Sequence, residues 1–144
     1  MISIVSDVHI KFPGDEPFKL FMRFLNNPIV NKSEKVVLLG DIFDFVVGGN
    51  KDFIKEFSEV FDKLKAMLEN GIEIYYIEGN HDFHIEKLMK EVFPEKGFKF
   101  SKGKVHVEHQ ETSVLLCHGD DIEIENPSYR RYYKIIRSRM IEFL

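Results

Sequence analysis

Four short clusters of aspartate, histidine and asparagine carry the residue types that metal-dependent phosphoryl chemistry needs. They are Ser6-Asp7-Val8-His9, Gly40-Asp41-Ile42-Phe43-Asp44, Glu78-Gly79-Asn80-His81-Asp82 and His118-Gly119-Asp120. Carboxylates and an amide oxygen suit Mn, Mg or Fe, and imidazoles suit Zn, Fe and Mn. The chain has one cysteine, Cys117, which argues against a thiolate-rich structural zinc site. Two divalent ions about 3.5–4 Å apart can activate a water and stabilise both the attacking and the leaving oxygen of an in-line displacement at phosphorus. Asp and Asn are common in turns for local reasons, but turns have no need of histidine.

Such residues must be held by a rigid frame, and the apolar pattern supplies one. Each cluster directly follows a short hydrophobic run: residues 2–5, 36–39, 72–77 and 114–117. The first three read as buried strands. Residues 11–17 carry two prolines and a glycine and read as a loop. Phe18, Phe21, Met22 and Leu25 have helical spacing. Residues 51–69 read as one helix with Phe53, Phe57, Val60, Phe61, Leu64 and Leu68 on its inner face, stopped by Asn70-Gly71. A short helix is expected over 85–92, antiparallel strands over 98–117, and a helix from Asn126-Pro127-Ser128 to the last residue. The order β-α-β-α-β implies parallel, right-handed connections. In a parallel α/β sheet, ligands bind beyond the carboxyl ends of the strands, and there all four clusters fall. The glycines at 40, 79 and 119 permit sharp turns and close backbone approach.

Taken in order, Asp7-x-His9, Gly40-Asp41-x-x-Asp44, Gly79-Asn80-His81-Asp82 and His118-Gly119-Asp120 resemble the successive signature motifs of the calcineurin-like metallophosphoesterases. The resemblance spans residues 1–120. It implies an α/β fold, the αββα sandwich of two mixed sheets flanked by helices. It implies two divalent metal ions, Mn foremost, with Fe, Zn, Mg or Ni as alternatives. Position by position, it implies that Asp7 and His9 hold the first metal, that Asp41 bridges both, and that Asn80 and His118 hold the second. His81 is implied to serve as general acid to the leaving group, or to stabilise the charge developing there, with Asp44 orienting it. Asp82 and Asp120 are expected to support loops, and His84, His106 and His109 fit no motif. The Gly-x-His or Gly-His-x-His motif that ends the family pattern is absent, so the chain is expected to be one metallophosphoesterase domain over 1–144 that is incomplete at its C-terminal end.

Within that family, Leu116-Cys117-His118-Gly119-Asp120 followed by Tyr129-Arg130-Arg131, and Gly79-Asn80-x-Asp82-Phe83, are similar to the UDP-2,3-diacylglucosamine pyrophosphatases of lipid A synthesis. Those enzymes commonly carry Arg where this chain has His81. The similarity implies hydrolysis of a pyrophosphate bond in a UDP-sugar lipid, with Asn80, Tyr129, Arg130 and Arg131 touching the substrate and residues 121–144 beginning a helical insertion or cap. From Tyr129 to Leu144 there are five Lys or Arg and one Glu, a composition that suits an anionic lipid or membrane surface. A core-packed helix with a solvated basic face is the alternative. Two other functions share these motifs: a DNA repair-type nuclease or phosphodiesterase, and a catalytically impaired binding module of the same fold.

Composition narrows the field. With 144 residues, 44% hydrophobic and 31% charged, the chain is long enough for one domain with a sizeable core. A net charge of −4 argues against a general basic surface for nucleic acid. The lone cysteine excludes an intrachain disulfide, and neither a signal peptide nor a membrane span is evident. The expected location is cytoplasmic, with contact to the inner membrane through residues 129–144.

Overall fold

The computed structural model describes residues 1–48, 51–94, 96–119, 127–136 and 138. Four strands form one sheet in the order β1 (Ile2–Val5), β2 (Lys35–Leu39), β4 (Glu73–Ile77), β6 (Phe98–Ser101), every pair parallel. The register places Val5 beside Leu38, Leu39 beside Ile77, and Ile77 beside Ser101. The strands therefore end together, and the segments that follow β1, β2 and β4 leave the sheet side by side.

Burial on both faces explains why the two central strands, β2 and β4, are apolar without alternation, while the edge strands β1 and β6 expose Ile4 and Lys99. On one face Val36, Leu38, Ile74 and Tyr76 pack against helices α1 (Glu16–Leu25), α3 (Ser58–Glu69) and α4 (Glu86–Val92). On the other, Val37, Tyr75 and Ile77 pack against Val107. Val107 belongs to a hairpin, β7 (Val105–His109) and β8 (Thr112–Leu116), joined by a two-residue turn. The layers are helix, parallel sheet and antiparallel hairpin. Antiparallel pairing over 98–117 is thus confined to the hairpin. β6 joins β4 in parallel instead, because the segment from Glu78 to Gly97 carries α4 and is long enough for a crossover.

Two helix expectations change, one at its start and one in its middle. α1 begins at Glu16, inside the expected loop, because the Asp15 carboxylate accepts from the Phe18 N–H at 2.7 Å and caps the first turn. The expected helix over 51–69 is two, α2 (Lys51–Glu56) and α3, parted at Phe57, whose backbone (φ −99°, ψ 28°) leaves the helical range. That turn sets the Phe57 ring 5.0 Å from Phe43 and 4.9 Å from Phe53. Phe43 lies between Ile42 and Asp44 on the loop after β2, and it also meets Phe53 at 4.8 Å and Phe61 at 6.3 Å. This aromatic cluster ties a loop that carries two site residues to the helices. Phe43→Ala is expected to cost about 3–5 kcal/mol, read as a lower urea midpoint with an unchanged slope.

Of the helix expected from Asn126 to the last residue, α5 (Pro127–Ile136) is described, and Ser138 beyond it lies in a bend. Asp120, residues 121–126 and the side chain of Arg130 lie outside the described residues, as do Arg137 and the stretch 139–144. Among the described residues no helix is long and apolar enough to cross a membrane.

Candidate metal centre and active site

The loops that carry the site are stitched to one another by backbone hydrogen bonds. Asp7 N–H donates to the Gly40 carbonyl (3.2 Å), and the Val8 and His9 N–H groups both donate to the Asp41 carbonyl (2.9 and 3.0 Å). Ile10 pairs with the loop after β2, its N–H donating to Ile42 and its carbonyl accepting from Asp44. A two-residue parallel pairing of β3 (Val46–Val47) with β5 (Asp82–Phe83) joins the loop after β2 to the loop after β4.

This stitching forces uncommon backbone. Asp7, His9 and Asp41 all have positive φ (54°, 55° and 54°), a conformation that costs of order 1–3 kcal/mol for a non-glycine residue and clusters at functional sites. The doubly used Asp41 carbonyl holds the first loop in that form.

Two groups of donor atoms result. Asp7, Asp41 and His118 each place a ligand atom within 4.8 Å of the others, and so do His9, Asp44 and His81. Asp41 lies between them. Its Oδ2 is 3.3 Å from His118 Nε2 and 3.9 Å from His9 Nε2, while its Oδ1 accepts from the His81 N–H at 2.9 Å. Asn80 Oδ1 is 3.3 Å from the same His118 Nε2. The five expected metal ligands, Asp7, His9, Asp41, Asn80 and His118, are therefore brought together, with the Asp41 carboxylate at their centre. The geometric grouping sets His9 with Asp44 and His81, a pairing the motif order does not suggest.

The donor set fits a divalent cation. His118 Nδ1 donates to the Leu39 carbonyl at 2.9 Å, which leaves Nε2 facing Asp41 and Asn80; fixing a ligand imidazole through its other nitrogen is a recurrent device of metal sites. His9 Nδ1 is buried without a hydrogen-bond partner among the described residues, 3.7 Å from Asp44 Oδ1. Orphaned buried polar atoms are rare, and an ion between His9 and Asp44 would satisfy this one.

Electrostatics follow from that packing. The hydrogen bond to Asp41 holds the His118 imidazolium so well that, against the opposing effect of burial, its pKa rises to about 9. Burial pushes the Asp41 carboxyl up, but hydrogen bonds from His118 and His81 and the nearby imidazoles more than offset this, leaving its pKa below the usual value. A metal at His118 must displace that proton. Affinity for Mn is expected to rise about tenfold per pH unit below pH 9 and to level above it. Calorimetric titrations at several pH values measure this, and a flat profile between pH 7 and 9 would remove His118 from the ligand set.

His81 stands beside His9, the rings edge to face at 4.8 Å. Its Nδ1 is hydrogen-bonded to the main-chain carbonyl of Asp44, and the Asp44 carboxylate is 3.9 Å from the same nitrogen. Asp44 does adjoin His81 as expected, chiefly through its backbone.

Beneath these donor groups lies Asp82, fully buried. Its Oδ1 accepts from the N–H groups of Asp41 (3.0 Å) and Gly79 (2.8 Å), its Oδ2 from Ile42 N–H (2.8 Å) and the Tyr76 hydroxyl (2.6 Å). It supports loops, as its place in the motif suggests. Tyr76 gave no signal in the sequence because it sits in an apolar strand that reads as core. The expected substrate residues Tyr129 and Arg131 lie on α5, where Tyr129 packs on Tyr132 at 6.1 Å and Arg131 is exposed.

A family model of calcineurin-like phosphoesterases matches residues 1–142. The chain is similar to the UDP-2,3-diacylglucosamine hydrolase of Haemophilus influenzae, 28% identical over 141 residues that cover 97% of this chain and 57% of that protein. The same-named proteins of Neisseria gonorrhoeae (26% over 141 residues, 97% and 57%) and Vibrio vulnificus (26% over 140 residues, 97% and 56%) are similarly related. The chain spans little more than half the length of these curated relatives. Four motif loops gathered at one end of a parallel sheet, with the family model matched from residue 1 to residue 142, establish that the chain belongs to the calcineurin-like phosphoesterase family.

Proposed function

We propose that this protein hydrolyses the pyrophosphate bond of a nucleotide-linked lipid, UDP-2,3-diacylglucosamine or a molecule of the same chemistry. The observation that carries the reading is the Asp41 carboxylate set between His9 and His118, with Asp7 and Asn80 at its sides. Asp7, His9, Asp41, Asn80 and His118 would hold two divalent ions, Mn foremost, with Asp44 within reach of the second group. Such ions, when bound, supply Lewis-acid polarisation of a phosphoryl oxygen and a more acidic water.

The chain's own residues do the rest. His81, whose Nδ1 donates to the Asp44 carbonyl, leaves its Nε2 to the departing phosphate oxygen, to which the imidazolium form gives a proton or lends its charge. Asp82 fixes the backbone that aims Asp41. On α5 the exposed side chains of Arg131 and Lys134 stand beside exposed Tyr132 and Ile135. That mixture suits an anionic lipid surface, and we place α5 at the start of a cap over the lipid part of the substrate.

The test is release of UMP from UDP-2,3-diacylglucosamine by the protein loaded with Mn, followed by chromatography against an EDTA-treated control. UMP above the control supports the reading. Bound Mn with no UMP released, and with DNA degraded instead, would transfer the site to the nuclease class.

A further inference from the structure

We propose that Tyr76 is a positioning residue of the metal centre, acting through Asp82. The inference rests on the reading of Asp41 as a metal ligand and goes beyond it to the second rank of groups that aim it.

Each oxygen of the Asp82 carboxylate receives two donors, and three of the four come from the loops that bear the ligands: Asp41 and Ile42 after β2, and Gly79 after β4. A carboxylate has about four acceptor positions, so this one is saturated. The fourth donor, Tyr76, comes from within β4 rather than from a loop. It is 1% exposed, its ring lies against Phe100 at 6.0 Å, and its strand pairs on both sides. The three amides ride on loops, while the hydroxyl is anchored in the sheet. Tyr76 is thus the fixed post from which Asp82 holds two loops in register. Burial, and after it the charge of Asp82, push the Tyr76 phenol well above its usual pKa, so it remains a donor throughout the range in which an enzyme works.

A buried carboxylate that loses one donor must shift or accept a poorer arrangement. The amide hydrogen bonds to Asp41, Ile42 and Gly79 then loosen together, and Asp41 loses its aim. The neighbouring Tyr75 is the natural control. It points to the opposite face of β4, where its hydroxyl donates to Glu73 (3.1 Å) and accepts from Lys99 (2.8 Å), away from the site.

The experiment compares the protein with its Tyr76→Phe and Tyr75→Phe variants by Mn titration and by amide hydrogen exchange without metal. Tyr76→Phe is expected to weaken Mn binding about tenfold, the lower end of the range for groups that support metal ligands. It is also expected to speed exchange at Asp41, Ile42 and Gly79 selectively, while Tyr75→Phe does neither. Unchanged exchange at those amides, exchange raised evenly across the sheet, or equal effects of the two variants would overturn the proposal. If the unsubstituted protein binds no Mn, the metal reading fails, and the exchange comparison still decides whether Tyr76 positions the loop.

Discussion

Gly79→Ala is expected to abolish tight metal binding while leaving the chain able to fold. A Cβ at position 79 would lie 2.0 Å from Asp41 Oδ1 and 2.5 Å from the Asp41 nitrogen. Neither contact can be tolerated, and the nitrogen is backbone, held by Asp82. The Asp41 carboxylate can swing away but its nitrogen cannot move without its loop, so the methyl group drives out the central ligand and displaces the loop that bears it. The effect on affinity should exceed the roughly 10–100-fold typical of changes in supporting groups, because a ligand itself is displaced. The stability cost of the added methyl is expected to be about 1–3 kcal/mol. Gly79 has no positive φ, so the outcome reports close approach without left-handed strain at the substituted residue itself. At Gly40 the two act together, because φ is 79° and a Cβ would meet the His118 ring at 2.5 Å. Mn titration beside a urea unfolding curve separates the two effects. Retained affinity would mean that Asp41 is not a ligand.

His81→Ala is expected to lower kcat by about 10²–10⁴-fold, the usual worth of a positioned proton donor, with Mn stoichiometry unchanged. The second half of that statement is the discriminating one. His81 also groups with His9 and Asp44 in an arrangement able to hold an ion. If it served as a ligand, the variant would bind fewer ions per chain and its activity would fall for that reason. Metal content measured on the variant after desalting, together with kcat and KM at saturating Mn, decides between a proton donor and a ligand. A kcat within a few-fold of the original protein would exclude both roles.

Much of this was legible in the sequence because it depends on local order. Short β-branched runs such as Val36-Val37-Leu38-Leu39 read as buried strands, and the Asp, Asn and His residues just beyond them share one structural position. That shared position marked them as candidates, and the resemblance to the family motifs named which of them are expected to hold metal. What was misread depends on partners distant in sequence. β6 looked antiparallel because short strands near turns resemble hairpins, and only the length available to α4 makes its parallel pairing possible. The break at Phe57 answers to the ring of Phe43, a residue on another element.

The sequence by itself determined the types of the proposed ligands, their order and the sheet end at which they gather, because strand periodicity fixes where each loop emerges. Tertiary structure alone decided how the ligands are aimed. The Asp41 carbonyl holds Val8 and His9, Asp82 joins the loops after β2 and β4, and Tyr76 reaches Asp82 from inside the sheet. Those links join residues far apart along the chain or hidden in apolar strands, and their directions follow from packing in three dimensions, which spacing in one dimension does not record.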